Sequence, residues 1–287
     1  MHDDRQRHGW RVARAAVFVS GLIALIGVFL GIGRAAEPDA TDRGLETFRA
    51  MLRADPWSNP AMLDADRGAA LWKTARGKRN VTLERCDLGK GIGVVDGAFA
   101  ELPRFFRDAG RVMDLETRLL WCMTTLQGLD VDGFVANPHP SANQPVGDLG
   151  AIATWIASRS DGLPFAAPGT HPREKATLAL GETLFHRRSG PFDFSCASCH
   201  GVEGKRIRRQ NLAALVKPDG ARQVVGEWPA YRVSTTHVMT LQHRLYDCYW
   251  QMRMPALKFG SEASVALTSY LVHQAAGGPI AAPGIKR

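Results

Sequence analysis

Three residues in the segment FSCASCHGVEG could do chemistry together: Cys196, Cys199 and His200 form a C-x-x-C-H pattern. In this pattern two thiols add to the two vinyl groups of a haem, and the following histidine lies beneath the iron as its proximal ligand. The alternatives are a C-x-x-C disulfide or half of a zinc site. However, the chain has no second C-x-x-C, and both alternatives leave His200 without a role. The spacing therefore predicts one covalently attached haem c.

Helical patterns surround this motif and would have to position it. The segments 173–188, 238–252 and 261–278 combine helix-forming composition with apolar residues at helical spacing. The second pattern stops before Pro255, and the third begins at the capping residue Ser261. A helix, a haem loop, a helix and a final helix follow one another in this order in class I cytochrome c domains. The sequence therefore predicts a mainly α fold.

The N-terminal segment reads as an export signal. Four arginines precede an apolar run over residues 15–32, which ends at a step of small residues that includes Ala35. This layout predicts a signal peptide over 1–35, cleaved near Ala35, and a periplasmic protein. The alternative is a retained anchor, because the run approaches the roughly 18–20 residues that span a bilayer. An exported chain can form disulfides and attach haem covalently.

Composition limits the classes of partner. The 287 residues are 45% hydrophobic, which allows a sizeable core and about two domains, and the formal net charge is +8. An exported basic protein is not expected to bind nucleic acid. Its field would steer anionic small molecules or an acidic protein, or it would simply keep the protein soluble.

An internal repeat divides the chain into two halves. The paired stretches are 68–72 with 181–185, 118–122 with 244–248, and 147–159 with 264–275. This predicts two class I cytochrome-c-like domains, over 36–160 and 173–287. The segment 161–172 is rich in proline and glycine and is the expected linker.

The first half of the repeat lacks the residues that attach haem. On this register Cys86 falls at the position of Cys199. Leu83 and Asp87 stand where the second half has a cysteine and the proximal histidine. Only the C-terminal domain is therefore expected to bind haem.

The remaining cysteines then divide into a pair and a single thiol. Cys86 and Cys122 would face each other across an empty haem pocket, which predicts a disulfide; the alternative is two separate buried thiols. Cys248 is left over, and an unpaired cysteine in an exported chain calls for a functional hypothesis. It lies one helical turn after Arg244, whose charge would favour an anionic sulfur.

The distal ligand of the haem iron stays open at this point. Cys248 lies on the helix that should cover the distal side, and its sulfur could reach the iron. The other candidates are two kinds of side chain in the same region: Met239, Met252, Met254, His237 and His243.

The two halves, the C-terminal CASCH and the later RLYDCYWQMRMP together resemble the SoxA subunits of the SoxAX cytochromes, bacterial L-cysteine S-thiosulfotransferases. The resemblance runs from about Gly68 to Ala276. It implies that His200 and Cys248 are the axial ligands of the haem. It also implies that Cys248 carries a persulfide and is catalytic, and that Arg244 contacts substrate. With Leu83 in the first half, the chain resembles the monohaem branch of that family.

The resemblance also implies a reaction and its partners. Thiosulfate would be oxidatively coupled to a cysteine of the carrier protein SoxYZ, and two electrons would pass to an acceptor cytochrome c. A SoxX subunit would supply a second haem. A basic loop would draw thiosulfate to the haem edge, or would be only a solvated loop; it consists of Lys205, Arg206, Arg208 and Arg209.

Two other functions remain open from the sequence: a periplasmic electron-transfer cytochrome with His/Met ligation, and a docking subunit with an inert haem. Tyr246, Asp247 and Tyr249 could support the groups that touch the haem, but on a helix beside a haem they are interpreted as packing or surface residues. The other histidines are expected to be structural or exposed, because their spacing marks no metal site: His139, His171, His186 and His273.

Overall fold

The computed structural model describes residues 40–136, 147–166, 169–207 and 210–287. The expected signal peptide over 1–35 lies outside these ranges. Within them, no helix combines the length and the apolar character needed to cross a membrane.

The described chain is mainly helical, which confirms the predicted class. The helices are α1 (Ala40–Ala54), α2 (Ala61–Lys73), α3 (Leu115–Cys122), α4 (Asp132–Ala136), α5 (Asp148–Ser158), α6 (Pro172–His186), α7 (Cys196–His200), α8 (Pro218–Val224), α9 (Leu241–Gln251) and α10 (Glu262–Gln274). The strands are β1 (Arg104–Phe106), β2 (Arg111–Met113), β3 (Arg206–Ile207), β4 (Gln210–Asn211), β5 (Ala230–Arg232), β6 (His237–Met239) and β7 (Gly284–Lys286). β1 pairs with β2 and β3 with β4, each antiparallel. β5 lies between antiparallel β6 and parallel β7.

Side-chain caps fix where α3, α9 and α10 begin. Asp114 accepts a hydrogen bond from the backbone of Thr117, and Ser261 caps α10 in the same way. Thr240 caps α9. The expectation that this helix starts at Val238 was wrong, because Val238 pairs in β6 and the cap at Thr240 sets the helix start two residues later.

Two helix pairs form close crossings that depend on glycine. α2 packs along α5, and α6 packs along α10. A Cβ added to Gly68 would lie 2.1 Å from the Ala151 carbonyl oxygen, and one added to Gly181 would lie 2.0 Å from that of Ala266. Both pairs therefore bring their backbones together at a position that only glycine fits.

The apolar core of the described residues has two main clusters. One surrounds Trp72 and the α2–α5 pair, and the other surrounds Phe185 and the α6–α10 pair. Part of the segment expected as a linker packs beside the second cluster and is hydrogen-bonded there. Phe165 is buried there, and its backbone exchanges hydrogen bonds with Gly277 and Gly278.

Candidate haem and thiol site

A capping box builds the short helix that carries the C-x-x-C-H residues. The Ser195 hydroxyl accepts from the backbone N–H of Ser198, and the Ser198 hydroxyl accepts from that of Ser195. The helix places Cys196 and Cys199 one turn apart, and both are half-buried and outside any disulfide. The two thiols thus project from the same turn of helix, as attachment to one haem requires.

The orientation of the His200 ring is fixed by one hydrogen bond. Its Nδ1 lies 2.9 Å from the carbonyl oxygen of Ala213. A carbonyl can only accept, so the proton is on Nδ1 and the lone pair is on Nε2. Burial, and then the charge of Arg244, lower the pKa of His200, while the bond to Ala213 acts in the opposite direction. His200 is therefore held as a neutral imidazole with Nε2 ready to bind a metal.

Helix α9, which carries Cys248, shares an apolar cluster with α7: Leu245 and Tyr249 belong to this cluster, and Cys196 packs against it. The pKa of Cys196 is raised to about 12, first by burial and next by the Cys248 thiol. Burial also raises the pKa of Tyr249, and the two cysteines add to the effect. The side chain of Cys248 is therefore near enough to Cys196 to act on it electrostatically.

Arg244 reaches the same site but already has an anionic partner. Its Nη1 donates to Oδ2 of Asp247, whose side chain is 2% exposed, while that of Arg244 is 28% exposed. Gln251 donates to both oxygens of the same carboxylate at 2.8 Å. Arg244 therefore presents a half-buried, oriented guanidinium rather than a freely moving one.

The rival distal ligands lie in different surroundings. Met239 is completely buried in a cluster with Trp228 and Ala230. The buried rings of His237 and His243 stack with centroids 6.2 Å apart.

The two methionines that follow α9 also lie in different surroundings. Met252 caps the C-terminal end of α9, whereas Met254 packs against the core cluster that Cys196 also contacts. Met254 is therefore the methionine that a ligand test must include.

Two buried carboxyl groups hold the N-terminus of α9. Glu116, in the first turn of α3, lies close enough to the Thr240 hydroxyl and to the backbone N–H of Gln242 for both to oppose the rise in its pKa. The Gln242 side chain donates to Asp114 and accepts from the Gly260 backbone at 3.0 Å. The starts of α3 and α9 are thus joined, and this contact sets the position from which α9 carries Arg244 and Cys248.

The carboxyl groups at this junction are strongly perturbed. Burial, and next the charge of Asp114, raise the pKa of Glu116 to about 8. Burial also raises the pKa of Asp114, against the hydrogen bonds from Thr117 and Gln242. Two carboxylates so close together in an apolar environment are not both ionised readily.

The first half contains a disulfide at the place where the sequence lacks the haem motif. Cys86 and Cys122 are joined with Cα atoms 5.8 Å apart, and both are fully buried. Leu83 is part of the same core cluster. The Asp87 carboxylate accepts from the backbone of Gly89 at 2.6 Å, so it closes a turn.

Arg118, four residues before Cys122, lies inside this half. Its side chain is 2% exposed, and its guanidinium carbon lies 4.1 Å from the Phe106 ring centroid and 4.3 Å from that of Trp121. Two hydrogen bonds join it to Asp108, at 3.0 and 2.8 Å. This arginine therefore packs as part of the core and is not available to a substrate.

The basic loop is only partly described. Lys205 and Arg206 are exposed, whereas Arg208 and Arg209 lie outside the described residues. His139 lies outside them as well. His171 stacks on Phe105 and caps α6.

Comparison with known sequences shows which family has this site. The family model described as "SoxA/TsdA, cytochrome c domain" matches residues 67–165 and 180–280. The chain belongs to this family. As a cytochrome c family protein it binds haem c, and the resemblance inferred from its sequence is confirmed.

The most similar relatives found include two proteins named L-cysteine S-thiosulfotransferase subunit SoxA. The one from Hydrogenophilus thermoluteolus is 42% identical over 271 residues, which cover 94% of this chain and 97% of that protein. One from Hydrogenobacter thermophilus is 34% identical, over 79% of this chain and 82% of that protein.

A solved structure also shares the fold of this family. The match is a chain of the crystal structure of SoxXA from P. pantotrophus, with a TM-score of 0.68 and 23% identity. It covers 84% of both chains.

The residues of this SoxA/TsdA family protein fit haem c. The chain offers a pair of thiols on one helical turn, and a histidine whose Nδ1 is satisfied by a carbonyl while Nε2 is left for iron. Sequence reasoning missed Asp247, since its role depends on burial. The only available signal was its position three residues after Arg244, where helix neighbours meet.

Proposed function

We propose that this chain is the haem c-bearing subunit of an L-cysteine S-thiosulfotransferase. It would couple thiosulfate to a cysteine of a SoxYZ-type carrier protein and pass two electrons to cytochrome c. The observation that carries the proposal is that α9, which carries Arg244 and Cys248 one turn apart, shares an apolar cluster with Cys196, whose pKa Cys248 helps to raise. The names of the relatives support the same activity.

The reaction joins two sulfur atoms by oxidation. A bond forms between the outer sulfur of thiosulfate and the carrier cysteine, whose S–H bond breaks. The proton goes to solvent, and the carrier gains a thiosulfonate group with one negative charge. Two electrons leave, and two molecules of oxidised cytochrome c, each taking one electron, are the oxidant.

Each residue of the site has a distinct part in this proposal. Cys196 and Cys199 would hold the haem covalently, and His200 and Cys248 would bind its iron. Cys248, with a persulfide sulfur, would also be the residue at which sulfur transfer takes place. Arg244 binds the dianion beside it. Bound haem c supplies an iron that accepts and passes on electrons one at a time.

The two halves would be related domains of which only the second binds haem. The supporting features are the two glycine-dependent helix crossings, at Gly68 and Gly181, and the disulfide in the first half. The domains would extend over 36–160 and 173–287, with 161–172 between them. One covalently attached haem c is expected.

The partners and location follow from the same proposal. A SoxX-type cytochrome subunit would complete a heterodimer, and the carrier protein and the acceptor cytochrome c would bind transiently. The signal-like sequence over 1–35 supports export to the periplasm, with cleavage near Ala35.

Mass spectrometry of the protein purified from the periplasm tests the proposal. We expect the mass of one haem c on a chain that begins after Ala35, and one additional sulfur on the peptide that contains Cys248. The rival electron-transfer cytochrome predicts an unmodified Cys248 and a Met–iron charge-transfer band. That band should disappear in Met254→Leu if Met254 is the ligand.

A further inference from the structure

Asp247 is the most deeply buried charged group on the helix face that carries Arg244 and Cys248. Its side chain is 2% exposed. Arg244 lies three residues before it and Gln251 four residues after it, so all three meet on one side of α9. A buried carboxylate costs free energy unless donors surround it, and Arg244 and Gln251 are its donors.

The contact has two consequences for Arg244. It engages Nη1, so the plane of the guanidinium is fixed while Nε and Nη2 lie outside this bond. It also places a negative charge beside the positive one, which reduces the attraction that a dianion feels at this point. Orientation and charge are thus both set by a residue next to Cys248 in the sequence.

We propose that Asp247 is a positioning residue for sulfur transfer, an inference that rests on the proposed function. It holds the guanidinium so that thiosulfate binds with its outer sulfur towards Cys248. At the same time the negative charge of Asp247 weakens the binding of thiosulfate, so that the anionic groups of substrate and product do not remain bound to Arg244. The bond between Asp247 and Arg244 therefore lowers the affinity for thiosulfate and fixes the orientation in which thiosulfate binds.

The test compares Asp247→Asn with Asp247→Glu in the haem-loaded protein with its partner subunit. Asparagine keeps the shape and removes the charge, whereas glutamate keeps the charge. The matched control is Asp219→Asn, since Asp219 likewise pairs with an arginine three residues away, Arg222, but is 95% exposed. Binding and turnover are both measured: the thiosulfate dissociation constant by calorimetry without carrier, and kcat and KM with carrier and oxidised cytochrome c.

For Asp247→Asn we expect thiosulfate to bind about threefold to tenfold more tightly while kcat falls about tenfold, since misplacing a bound reactant costs rate. Asp247→Glu should keep the wild-type dissociation constant within about twofold, because it retains the charge. Asp219→Asn should match wild type in both the thiosulfate dissociation constant and kcat.

Unchanged binding and kcat in Asp247→Asn would overturn the inference. So would a lower melting temperature with wild-type kinetics, because that is the result of a merely structural role. If the wild type binds thiosulfate but does not turn over, the proposed function fails. The comparison of dissociation constants still decides the role of Asp247 in that case.

Discussion

At the scale of single residues, two arginines that the repeat aligns have opposite environments. Arg244 is 28% exposed and pairs with one carboxylate, that of Asp247 on the same helix α9. Arg118 is 2% exposed and lies between two aromatic rings. In the proposed function the same R-x-x-x-C spacing therefore serves substrate binding in one half, whereas it serves packing in the other. Burial, which the local sequence does not reveal, makes the difference.

Replacing Arg118 should cost stability without affecting haem. Arg118→Leu removes a cation that contacts Phe106 and Trp121 and bonds to Asp108, and we expect a loss of about 3 kcal/mol in the free energy of unfolding. Denaturant titration measures it.

The matched control for this change is Arg159→Leu. Its pair with Asp96 is 51% and 73% exposed, so the loss of stability should be much smaller than in Arg118→Leu, because water screens an exposed pair. Equal losses in the two variants would contradict the assigned role of Arg118.

At the scale of elements, helix crossings decide which glycines matter. Gly181→Ala would place a methyl group 2.0 Å from the backbone oxygen of Ala266, so α6 and α10 would have to separate. We expect a loss of about 1–3 kcal/mol. Gly44→Ala in α1 meets nothing within 4 Å and should instead add about 0.5–1 kcal/mol through helix propensity.

Thermal unfolding of the two glycine variants checks this prediction. A melting temperature of Gly181→Ala equal to or above that of wild type would show that the crossing tolerates a side chain.

The helices and strands also show which features of the fold could be predicted from the sequence. The C-x-x-C-H chemistry, the helices and the cap at Ser261 depend on residues close in sequence, so local patterns predict them. The start of α9 was misplaced because apolar periodicity runs on through Val238, which strand pairing takes into β6. The junction of Glu116 with Thr240 could not be foreseen, since it joins residues far apart in sequence.

At the scale of the whole molecule, the half that lacks the haem motif contains a covalent cross-link of its own. The disulfide between Cys86 and Cys122, separated by 36 residues, should stabilise the fold by about 3–4 kcal/mol through loop closure in the unfolded chain.

The Cys86→Ala, Cys122→Ala double variant tests this contribution. We expect denaturant titration to show a free energy of unfolding lower by that amount, together with an unchanged haem content. Loss of haem from a variant that still folds would show that the disulfide acts directly on the haem site.

The junction between α3 and α9 should make stability depend on pH. The pKa of Glu116 is about 8 in the folded protein against an ordinary 4.5, so the folded state holds an extra proton between these values. The contribution of this group to stability should therefore be complete and constant below about pH 4.5, and it should be lost as the pH rises to about 8. The loss is at most about 5 kcal/mol.

Glu116→Gln should remove most of that decline, and the exposed Glu84→Gln should keep it. The measurement is the free energy of unfolding at pH 5 and at pH 8. An equal decline in Glu116→Gln and wild type would show that other groups cause the dependence.

The proposed function depends on the thiol of Cys248, so its most direct test is turnover. Thiosulfate-dependent reduction of cytochrome c is measured with the carrier and partner subunit, comparing wild type with Cys248→Ser, Cys248→Met and Met254→Leu. We expect both Cys248 variants to keep haem at Cys196 and Cys199 but to lose activity by about 10³-fold or more, as for removal of a nucleophile. Met254→Leu should remain active. Undiminished turnover in Cys248→Ser with full haem content would contradict the account.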